Sequence, residues 1–488
     1  MGAKLTDNNY KSDGDSKMSI LHFRLVFLSF MIGLGVFWKP SSVMARDIEY
    51  RQVVFAMRHG IRHATSSPDL QLYAQNRNWA SWYTTQYGCL TVNGLKNERL
   101  LGSYYRDVLI NEGLIQNGGK CPVDPSYYIR ADSFQRTWWS ARGLADGLFP
   151  NCQTTVYAIN ADAYKQQAPK VEGDQTCTSE NDPLFFPLQS GTGAPQMNPT
   201  EALLASAATI GAHGDASTVT TRLLTDAYQE QIKTLQAATD CCQPSACPNL
   251  PVGEACTLDH LQDTLVADSE DVTLNGPVNI GNDLSAIFLM AYQDGLPMKD
   301  VAFGMLTLDQ LNPTYALTSA AFGVMYHTPY AAKAQMSNWM NQILLALTQR
   351  AEDKKRANAV ALPSNSVVVF VGHDDNLSGL GSLMNVSWIN AGYQPNLPAA
   401  GSGFVFTLIE DRQTKNNFVK VEFVAQSPDQ QRSLEQLSST NPPSIVPLQV
   451  PGCESPQDLP YYCPLAKFTN IVRRAMSPKY ITQVSSLR

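Results

Sequence analysis

The chain has 488 residues, of which 44% are hydrophobic and 16% are charged, with a formal net charge of −7. This composition is that of a folded chain large enough for one or two domains, and it excludes a disordered or coiled-coil protein. The negative charge argues against nucleic acid as a general partner.

The first predicted element is an export signal. Residues 25–37, LVFLSFMIGLGVF, form an uncharged apolar run of the length of a signal-peptide core, with basic residues before it. The small residues of VMA at 43–45 offer a cleavage site, so residues 1–45 are predicted to be a signal peptide and Arg46 the start of the mature chain. The run is short for a membrane span, and an uncleaved anchor is the alternative. We expect no membrane contact after cleavage.

Residues 46–164 alternate short apolar strands with helical stretches, which is typical of a parallel sheet covered by helices. A strand over QVVFAM is followed by a helix near 94–113 that ends at Gly113. Strands are also predicted at YYIRAD and TTVYAI, with a helix between them over TWWSARGLADGLFP. This region is predicted to be the first part of an α/β core.

Residues 165–300 have a different texture, with several helical stretches and few strand candidates. Helices are predicted over TEALLASAATIGAH, over VTTRLLTDAYQEQIKTLQ and over GNDLSAIFLMAYQDGLP. We interpret this region as a mostly helical cap.

Residues 301–488 return to the pattern of the core and are predicted to be its second part. An amphipathic helix covers 331–352, and SVVVFVG is a fully apolar strand that runs into a loop and a helix. FVFTLIED and FVKVEFVAQ are predicted to form a hairpin.

All ten cysteines lie after residue 45. An even number of cysteines in an exported chain predicts structural disulfides. The segments 241–256 and 453–463 are predicted to be small loops closed by such bonds. A zinc site at 241–256 is the alternative, but this cluster lacks paired CxxC spacing and contains no histidine.

Two segments share one arrangement, in which a buried-type strand ends in a loop with a histidine. VVFAMRHG carries His59, and VVVFVGHDD carries His373. Ligands of open α/β sheets bind beyond the carboxyl ends of the strands, so adjacent strands would bring both histidines together with Arg58, Arg62 and Asp374. Either histidine alone is more simply explained as a hydrogen-bonded loop residue, and the coincidence of two such loops favours a site.

A third segment, IRADSFQRTWWSARGLADGLFP, is a strand followed by a helix with Arg136 at its start. A helix start favours anions, and a guanidinium adds bidentate donors suited to phosphate. The alternative for this arginine alone is a surface ion pair.

Together the three arginines, two histidines and one aspartate predict a phosphomonoester site. One imidazole would attack phosphorus, and a carboxylic acid would protonate the leaving alcohol. This chemistry requires no metal, and we expect no cofactor.

The motifs RHGIR at 58–62, SFQRT at 133–137 and GHDDN at 372–376 resemble those of the histidine acid phosphatases. The likeness is greater to the bacterial periplasmic phytases and glucose-1-phosphatases, and it extends from about residue 50 to about 475 through GLFPNC, DPLFFPL and GPVNIGNDLSAIF. The resemblance implies a phosphoglycerate-mutase-like α/β sheet core with a smaller, mostly helical cap, in a periplasmic or secreted protein.

The resemblance also implies a role for each site residue. His59 would be the phosphorylated nucleophile, and Asp374 the proton donor. Arg58, Arg62, Arg136 and His373 would hold the phosphoryl oxygens.

The expected partner is a small phosphomonoester substrate, such as a sugar phosphate, with phytate as a further candidate. A phytase proper, a mutase or narrow sugar phosphatase of the superfamily, and a non-catalytic phosphate-binding relative are the alternatives.

Three positions depart from the family pattern. Ala64 replaces the proline of RHGxRxP, Ser66 stands where the phytases have lysine, and Asp375 stands where they have threonine. The last two changes remove or oppose positive charge beside the pocket. We therefore expect small monoesters to be hydrolysed with higher kcat/KM than phytate.

The resemblance further implies two disulfides, Cys121–Cys152 and Cys453–Cys463. It suggests that Cys256 closes onto the cluster at 241–247. The partners of Cys89 and Cys177 stay open at this point.

Overall fold

The computed structural model describes residues 46–482, apart from 66–72, 75, 118–120, 123–125, 190–192, 215–216, 248–249 and 252. The predicted signal peptide and Ser66 lie outside the described residues. Among those that are described, no helix is both long and apolar enough to cross a membrane.

The strands of the described chain form two sheets. They are β1 (Ile48–Arg58), β2 (Tyr127–Ala131), β3 (Val219–Thr221), β4 (Asp263–Ala267), β5 (Val272–Asn275), β6 (Val367–Gly372), β7 (Gly403–Asp411), β8 (Asn417–Ala425), β9 (Ser444–Leu448) and β10 (Tyr462–Pro464). The large sheet has the order β10–β8–β7–β1–β6–β2, with β9 also paired to β8, and the small sheet has the order β3–β4–β5.

The α-helices of the described chain cover the large sheet and build the region of the predicted cap. They are α1 (Ser81–Thr84), α2 (Val92–Asn111), α3 (Gln135–Leu148), α4 (Ala161–Lys165), α5 (Pro199–Thr209), α6 (Leu223–Ala227), α7 (Gln229–Thr239), α8 (Pro277–Gln293), α9 (Leu308–Leu311), α10 (Ala316–Met325), α11 (Pro329–Glu352), α12 (Asp374–Met384), α13 (Pro428–Ser433) and α14 (Leu465–Ala475).

The large sheet is buried on both faces because its central strands direct apolar residues to each face in turn. Along β1, Val53 and Phe55 pack with α2 and α3, whereas Val54 and Ala56 pack with α11 and α12. All six residues of β6 are buried, as expected of a parallel strand covered on both faces.

Three parallel strands deliver their carboxyl ends to one edge of the sheet. β6 lies between β1 and β2, with Arg58 beside Gly372 and Ala131 beside Val371. The loops after these strands carry the predicted site residues, so the architecture inferred from the sequence is confirmed at this edge. The predicted hairpin is confirmed as the antiparallel pair β7 and β8.

Two predicted elements are wrong. TTVYAI is not a strand, because only Tyr157 makes a β-bridge, to Arg130 at the outer side of β2. The stretch at 219–236 is not one helix. Its β-branched residues form β3, which pairs with β4, and the chain then continues as α6 and α7. Pairing with a distant strand overrides helix propensity there.

The predicted cap region is mostly helical but also contains the small antiparallel sheet. Its strands were not recognised because β4 and β5 are only five and four residues long and meet in a tight turn. The α/β fold class is confirmed, and the boundaries near 165 and 300 stay a prediction.

All ten cysteines are paired. The bonds are Cys89–Cys177, Cys121–Cys152, Cys241–Cys242, Cys247–Cys256 and Cys453–Cys463. Two of them are the pairs that the resemblance implied, and Cys256 closes onto the cluster through Cys247. The cluster at 241–256 therefore keeps no thiolate for a zinc ion.

Candidate active site

The nucleophile candidate follows β1 directly and is fixed on both sides by backbone hydrogen bonds. The N–H of His59 donates to the carbonyl of Gly372 at 3.0 Å, and its carbonyl accepts from the N–H of Gly401 at 2.9 Å. The ring centroids of His59 and His373 lie 5.4 Å apart. The two histidines predicted to share a site are therefore neighbours.

The tautomer of His59 follows from its hydrogen bond. Nδ1 lies 2.8 Å from the carbonyl oxygen of Gly60, which can only accept, so Nδ1 carries the proton and Nε2 keeps its lone pair. Burial lowers the pKa of His59 well below its usual value, and Arg136 and Arg58 lower it further. His59 is thus a neutral imidazole at acidic pH, the form that can attack phosphorus.

The loop after His59 is held against α3. The N–H of Gly60 donates to Oγ of Ser140 at 2.8 Å, and that hydroxyl donates to the carbonyl of Arg136 at 2.7 Å. Glycine is required at position 60, since a Cβ would lie 2.9 Å from Oε1 of Glu98 and 3.2 Å from a backbone oxygen of α2.

The three predicted arginines lie around this loop. Arg58 forms an ion pair with Asp374 at 2.7 Å, and Arg62 donates to the carbonyl of His63 at 3.0 Å. Arg136 lies over the ring of Phe134, 4.4 Å from its centroid. Burial and the neighbouring guanidinium groups lower the pKa of Arg62 to about 9.

Burial lowers the pKa of Arg136 to about 10, so both of these arginines keep their charge at neutral and acidic pH. Three closely spaced guanidinium groups at the carboxyl ends of parallel strands provide the positive charge and donors that a phosphoryl group needs.

His373 is oriented by a partner that sequence reasoning missed. Its Nε2 lies 2.7 Å from Oδ2 of Asp132, and Arg136 donates to its Nδ1 at 3.3 Å. Because a guanidinium only donates, Nδ1 accepts and Nε2 carries the proton. The rings of Phe134 and Phe186 pack on the imidazole. Asp132 comes directly after β2, a strand-end position that could have identified it.

The proton-donor candidate is the first residue of α12. Asp374 is the partner of Arg58, and its side chain is 24% exposed. The next residue, Asp375, accepts from the N–H of Asn376 at 2.7 Å.

Burial, together with the charge of Asp374, raises the pKa of Asp375 to about 8. From the sequence alone, Asp375 is predicted to carry a negative charge that repels phosphate. At acidic pH it is neutral, so its repulsion of phosphate belongs to higher pH only.

A second carboxyl missed from the sequence lies beneath the loop. Glu98 is 2% exposed, and its Oε1 has no hydrogen-bond partner among the described residues. Burial raises its pKa to about 8. Its position on the apolar stripe of α2, in line with Leu101 and Tyr105, is the sequence feature that could have identified it as buried.

All six predicted site residues therefore meet at one edge of the sheet. No group of three or more metal-ligating side chains is placed to hold an ion in the part of the chain that the structure describes.

Comparisons with known proteins now decide the family. The model of the histidine phosphatase superfamily (branch 2) matches residues 49–424. The chain belongs to this superfamily. It is a histidine phosphatase, a hydrolase of phosphomonoesters, as the resemblance predicted.

The relatives of this histidine phosphatase include a phytase and a glucose-1-phosphatase. The phytase AppA of Escherichia coli is 30% identical over 459 residues, which cover 93% of this chain and 98% of that protein. A glucose-1-phosphatase of Salmonella typhimurium is 27% identical, with 90% and 97% covered.

Among solved structures, the phytase from Citrobacter braakii matches with a TM-score of 0.75 at 26% identity, over 89% of this chain and 99% of that one. The Hafnia alvei phytase in complex with myo-inositol hexakis sulphate gives the same TM-score, identity and coverage.

Proposed function

We propose that this histidine phosphatase is an exported acid phosphomonoesterase that passes the phosphoryl group through His59 without a metal ion. The observation that carries the proposal is the state of His59. It is buried and neutral, its Nε2 has no proton, and it lies among Arg58, Arg62 and Arg136. A nucleophile surrounded by cations is what a phosphoryl dianion needs.

In the first step, the lone pair of Nε2 of His59 attacks phosphorus, and the P–O bond to the leaving alcohol breaks. The ring then carries phosphate on Nε2 and the original proton on Nδ1, so it gains a positive charge. The carbonyl of Gly60 accepts from Nδ1 at 2.8 Å and stabilises that charge as it forms. The carboxylic acid of Asp374 gives its proton to the alcohol oxygen.

In the second step, the carboxylate of Asp374 takes a proton from water while the water oxygen attacks phosphorus. The P–N bond breaks, inorganic phosphate leaves, and neutral His59 and protonated Asp374 are restored.

Arg58 lies 2.7 Å from the carboxyl of Asp374. A phosphoryl group bound at the site would compete for the same guanidinium, which would release Asp374 to face the oxygen of the leaving alcohol.

The test is to trap the intermediate. Rapid mixing with a ³²P-labelled phosphomonoester, followed by alkaline quenching, should label wild-type protein on histidine, and His59→Ala should take up no label and lose turnover. His213→Ala, at an exposed histidine, is the matched control and should retain both. Turnover in EDTA should be unchanged. An unlabelled but fully active wild type would refute the proposal, and an inactive protein that binds phosphate would favour the non-catalytic alternative.

The substrate we propose is a small monoester, with sugar phosphates preferred over phytate. A small cleft beside Asp375 is lined by two further acidic residues, Glu270 and Asp271. Extra phosphates on a leaving group that approached this side of the site would meet carboxyl groups instead of cations. Direct comparison of kcat/KM for glucose 1-phosphate and phytate checks this preference, which a higher value for phytate would contradict.

The ionisation of Asp375 makes this preference pH-dependent. As the pH rises from 5 to 8 the residue gains its charge, so phytate should lose kcat/KM relative to glucose 1-phosphate more steeply in the wild type than in Asp375→Thr. The variant controls for the ionisation of the two substrates themselves. Identical pH dependence of the ratio in both proteins would show that Asp375 does not face the leaving group.

Export is supported by the pairing of all ten cysteines, which suits an oxidising compartment. Amino-terminal sequencing of protein recovered outside the cytoplasm should begin near Arg46. Recovery of an uncleaved chain in the membrane fraction would favour the anchor.

A further inference from the structure

A chain of two hydrogen bonds links Arg136, His373 and Asp132. Arg136 donates from Nη2 to Nδ1 of His373 at 3.3 Å, and Nε2 of His373 donates to Oδ2 of Asp132 at 2.7 Å. In this arrangement Nδ1 has no proton. It accepts from Arg136 and has nothing to donate to an oxyanion on that side.

Asp132 lies at the buried end of this chain. It is fully buried, and its backbone N–H donates to the carbonyl of Val371 at 2.9 Å, which fixes the backbone that carries the carboxyl beside the imidazole. Ion pairing in the interior is strong when the geometry is fixed in this way.

Charged groups surround this pair on each packed element. Burial, together with the charges of Asp182 and Asp375, raises the pKa of Asp132, whereas the N–H of Ser133 and the guanidinium of Arg136 lower it. Asp182 forms an ion pair with Arg130, and both side chains are fully buried.

Burial lowers the pKa of His373, and the charges of Arg136, Arg58 and Arg62 lower it further. An anion that neutralises these cations removes their contribution and so favours protonation of the imidazole.

A phosphoryl oxygen placed against Arg136 competes with Nδ1 of His373 as the acceptor for that guanidinium. The released Nδ1 can then bind a proton and donate to the oxyanion, with the carboxylate of Asp132 as counter-ion on the opposite side of the ring. Anion binding and proton binding at His373 are thus linked, and each must strengthen the other by the same factor.

We propose that Asp132 is a positioning residue that makes His373 take up one proton at Nδ1 when an oxyanion occupies the site. The proton comes from solvent, converts imidazole to imidazolium, and returns to solvent when the oxyanion leaves. This inference rests on the proposed function, because it places the oxyanion where the substrate phosphoryl group would bind.

The test uses sulfate, which stays a dianion from pH 5 to 8 and brings no proton. Calorimetric titration in two buffers of different ionisation enthalpy counts the protons taken up. Asp132→Asn should take up close to one proton fewer than the wild type, although its amide oxygen can still accept from Nε2. One proton corresponds to about tenfold in affinity per pH unit, so sulfate affinity should fall less steeply with pH in the variant.

Asp263→Asn is the matched control, since it removes another fully buried aspartate, one that accepts from Thr225 and Val278 and does not contact His373, and it should leave the proton count unchanged. Other groups near the bound anion can also exchange protons, so the difference between variants is measured and not the total.

Where a variant fails to fold, the wild type decides. Nitrogen NMR of ¹⁵N-histidine-labelled protein should show Nδ1 of His373 without a proton alone and protonated with saturating sulfate.

An unprotonated Nδ1 at saturation, or an unchanged proton count in Asp132→Asn, would overturn the inference. The two proposals can fail separately. If no phosphohistidine can be trapped but Asp132→Asn still takes up one proton fewer on binding sulfate, the proposed catalytic cycle is wrong and the linkage at His373 holds.

Discussion

At the residue scale, the side chain of Arg58 contacts two partners. Its guanidinium pairs with Asp374 at 2.7 Å and donates to the carbonyl of Pro398, and only 5% of the residue is exposed. The ion pair links the acid of the proposed cycle to a cation of the phosphate site. The phosphoryl group and the carboxyl of Asp374 therefore compete for the guanidinium of Arg58.

Asp374→Asn should slow hydrolysis in proportion to the leaving group's need for a proton. Loss of a general acid costs about 10²–10⁴-fold, so we expect a loss of that size for an alkyl phosphate and a much smaller one for p-nitrophenyl phosphate. Steady-state kinetics on both substrates measures the difference, with the exposed Asp226→Asn as control. Equal slowing of both esters would limit Asp374 to a role in positioning the pocket.

The six site residues could be predicted from the sequence because each follows a strand or begins a helix in a recognisable motif. Asp132 and Glu98 could not, for two physical reasons. Asp132 acts through a hydrogen bond between residues 241 positions apart in the chain. Glu98 is a carboxyl in the apolar stripe of a helix, where pattern analysis expects a hydrophobic side chain.

At the scale of elements, α2 is connected to the cap region through its N-cap residue, Thr91. Oγ1 of Thr91 accepts from the N–H of Gly94 at 2.9 Å, which caps the helix, and donates to Oδ1 of Asp294 at the end of α8. Asp294 also accepts from Nε1 of Trp82 at 2.8 Å. One threonine thus stabilises a helix that supports the nucleophile loop and connects it to α8.

Thr91→Ala should cost more stability than loss of a cap alone. A lost cap costs about 1 kcal/mol, and a part-buried carboxylate left without its donor adds about 1 kcal/mol or more, so we expect about 2–3 kcal/mol. Thr328→Ala, which removes only the cap of α11, is the matched control at about 1 kcal/mol. Urea unfolding measures both, and equal costs would mean that the bond to Asp294 adds nothing.

Five strands of the large sheet, β1, β2, β6, β7 and β8, were predictable because their apolar runs end in recognisable loops, whereas the short edge strands β9 and β10 were not predicted. The small sheet was not, since its strands are held by pairing across the cap region and not by local sequence preference. The strand predicted at TTVYAI is wrong for the opposite reason. It has strand composition, but only one of its residues makes a β-bridge.

At the scale of the whole molecule, several buried carboxyls favour their neutral form. Burial raises the pKa of Glu98 to about 8, of Glu112 to about 7 and of Asp271 to about 6. The stabilising effect of such a group is complete below its unfolded pKa, near 4.5 for glutamate, and is lost as the pH rises through the folded value. These groups should therefore lower the free energy of unfolding progressively as the pH rises from about 4.5 to about 8.

Buried histidines act in the opposite direction at lower pH. Burial lowers the pKa of His59, His63, His327 and His373, so the unfolded chain binds more protons below about 6.5 and stability falls there. The two trends place the stability maximum on the mildly acidic side of neutrality, which thermal unfolding from pH 4 to 9 measures.

Glu98→Gln isolates one of these groups. The variant should gain stability over the wild type as the pH rises from 5 to 8, by at most about 1.4 kcal/mol per pH unit, because the amide does not ionise. Glu230→Gln, at an exposed position on α7, should show no such trend. A constant difference at every pH would mean that Glu98 is ionised in the native protein.

The central place of β6 has a consequence during synthesis. The ribosome completes β1 and β2 more than two hundred residues before the strand that separates them. At about 5–20 residues per second, the two earlier strands wait for about 10–50 seconds with unpaired edges, which are sites for aggregation and for chaperones. A product that stops short of Gly372 lacks His373 and Asp374 as well as the strand that joins the two earlier ones. Truncated chains should therefore have no residual activity and should depend on quality control for their removal.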